Sequence, residues 1–206
     1  MKQVEKKLIL EILKYNTNNK TIEYIIKNNR INWMEILGFI SYHRVSGLFY
    51  SKMNKINIKL LDYPVFFSTY MINQAQKIRS EKQLKEIKKI SNELNYYNIN
   101  HIFLKGTILN QTIFESGERA SNDIDILINK NSVAKVTKIL KKMGYVQGKY
   151  DYINDSIIEY NKDELEQNLL IIGETCPFVK KTDNVTIKTI DVDLNFSLDW
   201  TPNYDQ

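Results

Sequence analysis

The sequence predicts an α+β protein: an N-terminal helical bundle over residues 1–98, then a small mixed β-sheet core flanked by helices over residues 99–206. Three observations carry this. Apolar residues recur at helical spacing through the first half, as at Leu8, Ile9, Ile12 and Leu13. The texture changes at Ile99, where short β-type runs replace the helical period. Two segments in the second half, Asp123 to Ile128 and Thr189 to Phe196, alternate between acidic or polar and apolar residues, as half-buried strands do.

In chain order, the first helix ends before Asn16–Asn19, and Thr21 is the expected N-cap of a second helix that stops near Asn28–Asn29. Trp33 through Tyr50 reads as one helix or two short ones. A connection runs from Asn54 to Leu61, and Pro64 suits the first turn of a long helix that continues to Tyr97. His101–Leu104 is a short strand ending in the turn Lys105-Gly106-Thr107. A short helix from about Ile108 to Phe114 follows, then a loop at Glu115–Glu118 and the strand Asp123–Ile128. Asn131 or Ser132 is expected to cap a helix from Val133 to Met143, which Gly144 closes. Tyr145–Ile153 reads as a strand and Asp163–Ile172 as a short helix. Thr175–Lys181 and Val185–Leu198 form a final strand pair around the turn Thr182–Asn184.

Composition narrows the class. With 29 basic and 24 acidic residues the 206-residue chain carries a formal charge of +5. The lysines are interleaved with glutamates as on solvated helical faces, so a nucleic-acid partner is compatible with the charge but not indicated by it. The single cysteine, Cys176, excludes an intrachain disulfide and reads as a small core residue. No run approaches the roughly 18 apolar residues of a membrane span, and the N-terminus lacks a signal-peptide pattern. The expectation is a cytoplasmic protein without a membrane partner. His43 reads as a partly buried structural histidine and His101 as structural, and neither stands at zinc-ligand spacing from Cys176. Trp33 and Trp200 read as core or cover residues.

The chemistry-bearing residues lie in the second half. Asp123 and Asp125, two apart in a strand, point to one face about 6–7 Å from each other. Two such carboxylates repel unless a cation lies between them, and Mg²⁺ (or Mn²⁺) takes hard oxygen ligands of this kind together with substrate phosphates. Upstream, Lys105-Gly106-Thr107 offers a strand-to-helix turn where glycine permits close backbone approach and a helix N-terminus favours phosphate. Arg119 precedes the acidic strand and could pair with a phosphate or with Asp123. In the later strand Asp191, Asp193 and Asn195 share one face. If the two strands are neighbours, three carboxylates converge, as two-metal phosphoryl transfer requires.

The run Leu104-Lys105-Gly106-Thr107, eleven further residues, Arg119-Ala120-Ser121-Asn122-Asp123-Ile124-Asp125-Ile126-Leu127-Ile128, and a later Val192-Asp193-Leu194 resembles the DNA polymerase β-type nucleotidyltransferases. It is most similar to a bacterial group of uncharacterised nucleotidyltransferases in which a Leu-Lys-Gly turn replaces the usual Gly-Ser. The segment Tyr42–Leu48 also resembles a helical motif of that group. The resemblance implies transfer of an NMP from an NTP to a hydroxyl acceptor. It implies that Gly106 and Thr107 hold the triphosphate, with Lys105 and Arg119 assisting. Asp123 and Asp125 would be the metal ligands and Asp193 the third carboxylate and base, with Asp191 the alternative. Two departures qualify this. Asn195 stands where the group usually has histidine, and the chain stops soon after the third acid, where relatives continue. The expectation is therefore a core without the C-terminal helical region of its relatives: a minimal enzyme, a shortened chain, or a protein that needs a partner chain or a second copy. The rival is a catalytically weak or inactive nucleotide-binding or protein-interaction module retaining the fold.

Overall fold

The structure, a computed structural model, describes residues 1–171 and 175–197, with side chains omitted at 167–171. Ile172, Leu198 and Trp200, which the sequence placed in elements or core, lie outside the described residues. The chain forms two compact units. The first comprises Met1–Ser80 and Ile113–Ala120; the second comprises Glu81–Thr112 and the described residues from Ser121 onward. No described helix is long and apolar enough to cross a membrane.

The first unit is helical: α1 (Gln3–Leu13), α2 (Asn19–Asn28), α3 (Trp33–Tyr42), α4 (Ser46–Ile56), a 3₁₀ turn at Ile58–Leu60, and the beginning of α5 (Tyr63–Tyr96). Its core gathers the apolar stripe of each helix, including Leu8 and Ile12, Ile22, Ile36 and Ile40, Phe49 and Met53, with Trp33 packed against it. Thr21 is not the cap of α2. Asn18 is, its side-chain oxygen accepting from the Thr21 amide at 3.2 Å. The cap belongs to the residue whose carbonyl-bearing side chain can fold back on the first turn, and Thr21 already supplies one of the orphan donors. The segment from Trp33 to Tyr50 is two helices. Arg44 breaks it with φ +56°, a left-handed conformation unusual for a side-chain-bearing residue. His43, at the end of α3, is exposed, not partly buried, and packs its ring 4.3 Å from that of Phe39.

The loop at 113–120 is held to this unit by a close contact between two glycines. Asn73 of α5 donates from Nδ2 to the Gly47 carbonyl at 3.2 Å and to the Gly117 carbonyl at 3.0 Å. Gly117 has φ +93°. A Cβ on Gly47 would lie 2.1 Å from the Gly117 oxygen, so only glycine permits this approach. Ser51 Oγ donates to Glu118 Oε1 at 2.7 Å and Lys55 pairs with Glu115 at 2.5 Å, adding two further ties.

The second unit is a six-stranded mixed sheet with helices. After the end of α5 come β1 (His101–Phe103), α6 (Lys105–Thr112), β2 (Asp123–Ile128), α7 (Val133–Lys142), β3 (Val146–Asp151), β4 (Ser156–Glu159), α8 (Lys162–Ile171), β5 (Phe178–Lys181) and β6 (Thr189–Asn195). The strand order is β1-β2-β6-β5-β3-β4, with β2 and β6 parallel and the other pairs antiparallel. One core lies on the apolar face of β2 and β6, where Ile124, Ile126, Ile190, Val192 and Leu194 meet Ile90 and Leu94 of α5 and the Val136–Leu140 stripe of α7. Burying each such side chain stabilises the fold by about 1.5–3 kcal/mol. This face also holds a charged network. Glu86 of α5 is buried and accepts from Lys89 at 2.7 Å, Lys180 at 3.0 Å and the Tyr145 hydroxyl at 3.0 Å.

The structure corrects three local expectations. The helix expected from Ile108 begins at Lys105, so Lys105-Gly106-Thr107 forms its first turn instead of preceding it. Ser132 makes no side-chain cap on α7. The chain enters through a 3₁₀ turn at Lys130–Ser132, which Asn129 caps through the Asn131 amide. The expected Tyr145–Ile153 strand stops at Asp151 because the chain turns there, with Asp151 Oδ1 accepting from the Ile153 amide at 2.9 Å, and returns as β4.

Candidate active site

The acidic residues are brought together by backbone register. In the parallel pair β2–β6, Asp123 stands opposite Asp191 and Asp125 opposite Asp193. Paired residues on neighbouring strands share a sheet face, and the core takes the alternate residues, so the four aspartates share the face away from Ile124 and Val192. Their Cα atoms form a patch about 5 by 7 Å from strand spacing alone. Asp125 is the deepest, 3 % exposed, while Asp123, Asp191 and Asp193 are half-buried.

The turn after β1 lies against this patch. The Leu104 amide donates to the Asp125 carbonyl at 3.0 Å, and Lys105 Nζ pairs with Asp125 Oδ1 at 2.7 Å. It is Lys105, not Gly106, that takes the left-handed conformation, with φ +47°. A lysine held there costs strain of about 1–3 kcal/mol unless the surroundings compensate, and the Asp125 ion pair is one such compensation. Gly106 and Thr107 are both buried in the first turn of α6. Thr107 Oγ1 is buried without a hydrogen-bond partner among the described residues. An unpaired buried hydroxyl at a helix N-terminus is what a phosphate oxygen would satisfy. Ser121 Oγ donates to the Asp123 carbonyl at 3.2 Å, and Gln83 Nε2 to the Ser121 carbonyl at 3.3 Å, tying the entry of β2 to α5.

Aspartates on one face suit a hard divalent cation by donor chemistry and by register. Among the described residues, however, no group of three or more His, Cys, Asp and Glu side chains is placed to hold an ion. The Lys105 ammonium stands at Asp125 where a cation would compete with it. Asn195 continues the acidic face of β6 but is buried, its amide 3.5 Å from the Asp193 carbonyl. Arg119 belongs to the first unit, whereas the four aspartates and Lys105 belong to the second.

Sequence reasoning anticipated Asp123, Asp125, Asp191, Asp193 and the Lys105–Thr107 turn as one set. It missed that Lys105 is a partner of Asp125. No spacing signal announces a contact across 20 residues between a turn and the neighbouring strand.

This part of the second unit is thus a strand leading into a helix, an acidic strand and a second acidic strand parallel to it. Residues 29–206 match the model of a family described as "Uncharacterised nucleotidyltransferase", and the chain belongs to that family. No curated protein and no solved structure matches it.

Proposed function

We propose that the second unit is a DNA polymerase β-type transferase that moves an NMP from an NTP to a hydroxyl acceptor and releases pyrophosphate. The observation that supports this most is the register that sets Asp123 and Asp125 beside Asp191 and Asp193 within reach of the Lys105–Thr107 turn. When bound, Mg²⁺ or Mn²⁺ would neutralise the phosphates and the developing charge on the attacking and leaving oxygens. Asp123, Asp125 and Asp193 are the residues to hold it, with Asp191 the alternative third ligand. The α6 N-terminus, through Gly106 and the Thr107 hydroxyl, receives triphosphate oxygens. Lys105 adds charge once it leaves Asp125. In the transfer the acceptor oxygen forms a bond to the α-phosphorus and the bond to the β-phosphate oxygen breaks. The acceptor's proton goes to Asp193, and pyrophosphate departs. The acceptor is a small molecule, a protein hydroxyl or an RNA end.

The Lys105–Asp125 ion pair favours a second reading, a module that binds nucleotide without transferring it, because the ammonium already neutralises the deepest acid. Calorimetry with ATP, GTP, CTP and UTP, with and without Mg²⁺, separates the cases. Mg²⁺-dependent binding lost in Asp123→Ala and Asp125→Ala, with pyrophosphate released on turnover, supports the transferase. Binding without release supports the module, and the absence of Mg²⁺-dependent binding to any NTP defeats the transferase. Comparing Asp191→Ala with Asp193→Ala identifies the third ligand.

A further inference from the structure

The first unit contains a cleft of about 360 Å³, built wholly from its own residues. That volume falls in the roughly 300–1,000 Å³ range of small-molecule sites. His43 and Arg44 line it from the break between α3 and α4, and Arg119 lines it from the loop at 113–120. Val45, Leu48 and Phe114 supply an apolar wall. Neither guanidinium is ion-paired among the described residues. Arg119 Nη1 is buried with no hydrogen-bond partner among them. A buried charged donor left unpaired is costly, and native structures seldom keep one without a ligand or water to receive it. The acid in the wall, Glu118, is already committed: Ser51 Oγ donates to Oε1 at 2.7 Å, the Glu115 amide donates to Oε2 at 3.0 Å, and Lys55 lies 4.0 Å away. The cleft is therefore lined by two arginines and by one acid whose oxygens are already engaged.

Its two arginines are also held in place by backbone devices. Arg44 sits at φ +56°, which turns the chain between α3 and α4. The Asn73 clamp on Gly47 and Gly117 fixes the loop two residues before Arg119. Guanidinium forks match phosphate oxygens in bidentate geometry.

We infer that this cleft binds a phosphate-bearing anion through Arg44 and Arg119, with His43 at its rim. The shared chemistry is a di- or triphosphate-like group, whether a nucleotide or another phosphorylated molecule carries it. The assignment does not depend on transferase activity.

The test is calorimetry of the full chain with inorganic pyrophosphate in EDTA, then with ATP as competitor. Pyrophosphate should bind, and Arg44→Asn should weaken it at least tenfold while leaving the melting temperature unchanged, because asparagine tolerates the left-handed conformation. Arg119→Met should weaken it similarly, and Arg119→Lys should recover part of the loss. No binding of pyrophosphate, or binding that Arg44→Asn and Arg119→Met leave within about twofold, overturns the inference. Competition by ATP assigns the site to a nucleotide tail, and its failure assigns it to another phosphate-bearing ligand. Asp123→Asn should not alter pyrophosphate binding in EDTA. Mg²⁺-dependent NTP binding without pyrophosphate binding in EDTA would defeat this inference and leave the transferase reading standing. The converse result would do the opposite.

Discussion

Replacing Gly47 by alanine adds one methyl group in α4, and the structure sets its cost. The new Cβ would lie 2.1 Å from Gln76 Oε1 and 2.1 Å from the Gly117 carbonyl oxygen. The glutamine side chain can rotate away. The Gly117 carbonyl is backbone, and moving it displaces a loop that Asn73 holds through two hydrogen bonds. Forced overpacking costs about 1–3 kcal/mol, and each hydrogen bond lost adds about 0.5–1.5 kcal/mol. With both hydrogen bonds lost, the total is about 2–6 kcal/mol of destabilisation. Gly38 is the control. It is exposed in α3, and a methyl group added there would meet nothing within 4 Å. Gly38→Ala should stabilise by about 0.5–1 kcal/mol, because alanine loses less backbone freedom on entering a helix. Urea unfolding followed by circular dichroism reads both. Because the 113–120 loop carries Arg119, Gly47→Ala should also weaken pyrophosphate binding at the cleft. Equal signs for the two substitutions, or a Gly47→Ala change under about 0.5 kcal/mol, would refute the close-contact argument.

Two further outcomes test other parts of the fold. Burial pushes the Glu86 carboxyl up, but hydrogen bonds from Lys89, Lys180 and Tyr145 and the Lys180 charge outweigh it and hold its pKa below the ordinary 4.5. A carboxyl depressed in the folded state contributes stability that is full above its unfolded pKa and lost as pH falls through the folded value. The melting temperature should therefore decline below about pH 4.5, and Glu86→Gln should flatten that decline; an unchanged acid limb would show that Glu86 is not the source. Thr107→Val removes a buried hydroxyl that has no partner among the described residues, so it should leave stability unchanged or raise it slightly. The same change should weaken Mg²⁺–NTP binding, and equal affinity for the two proteins would remove Thr107 from the phosphate site.

Much of the strand patterning was legible in the chain. The period-2 alternation at Asp123–Ile128 and Thr189–Asn195 determined which side chains share a face, because strand geometry leaves no other arrangement once one face is buried. The helical stripe of α1 was legible for the same reason at a different period. Helix starts were less so: whether Asn18 or Thr21 caps α2 depends on which side chain folds back on the first turn, and both residue types can do it. The short strand β4 was invisible, since Ser156–Glu159 has only a weak alternation and exists because β3 pairs with it.

The tertiary structure decided what lies between distant residues. That β2 and β6 are parallel neighbours, with Asp123 opposite Asp191, follows from sheet order, which local pattern does not encode. The Lys105–Asp125 ion pair, the Arg119 nitrogen that has no hydrogen-bond partner among the described residues and the opposite fates of Gly38 and Gly47 are likewise set by contacts far apart in sequence. The aspartates of β2 were readable as a pair because two residues of one strand are covalently placed. Their companions, and the lysine that neutralises one of them, are placed by packing, and packing is a property of the whole chain.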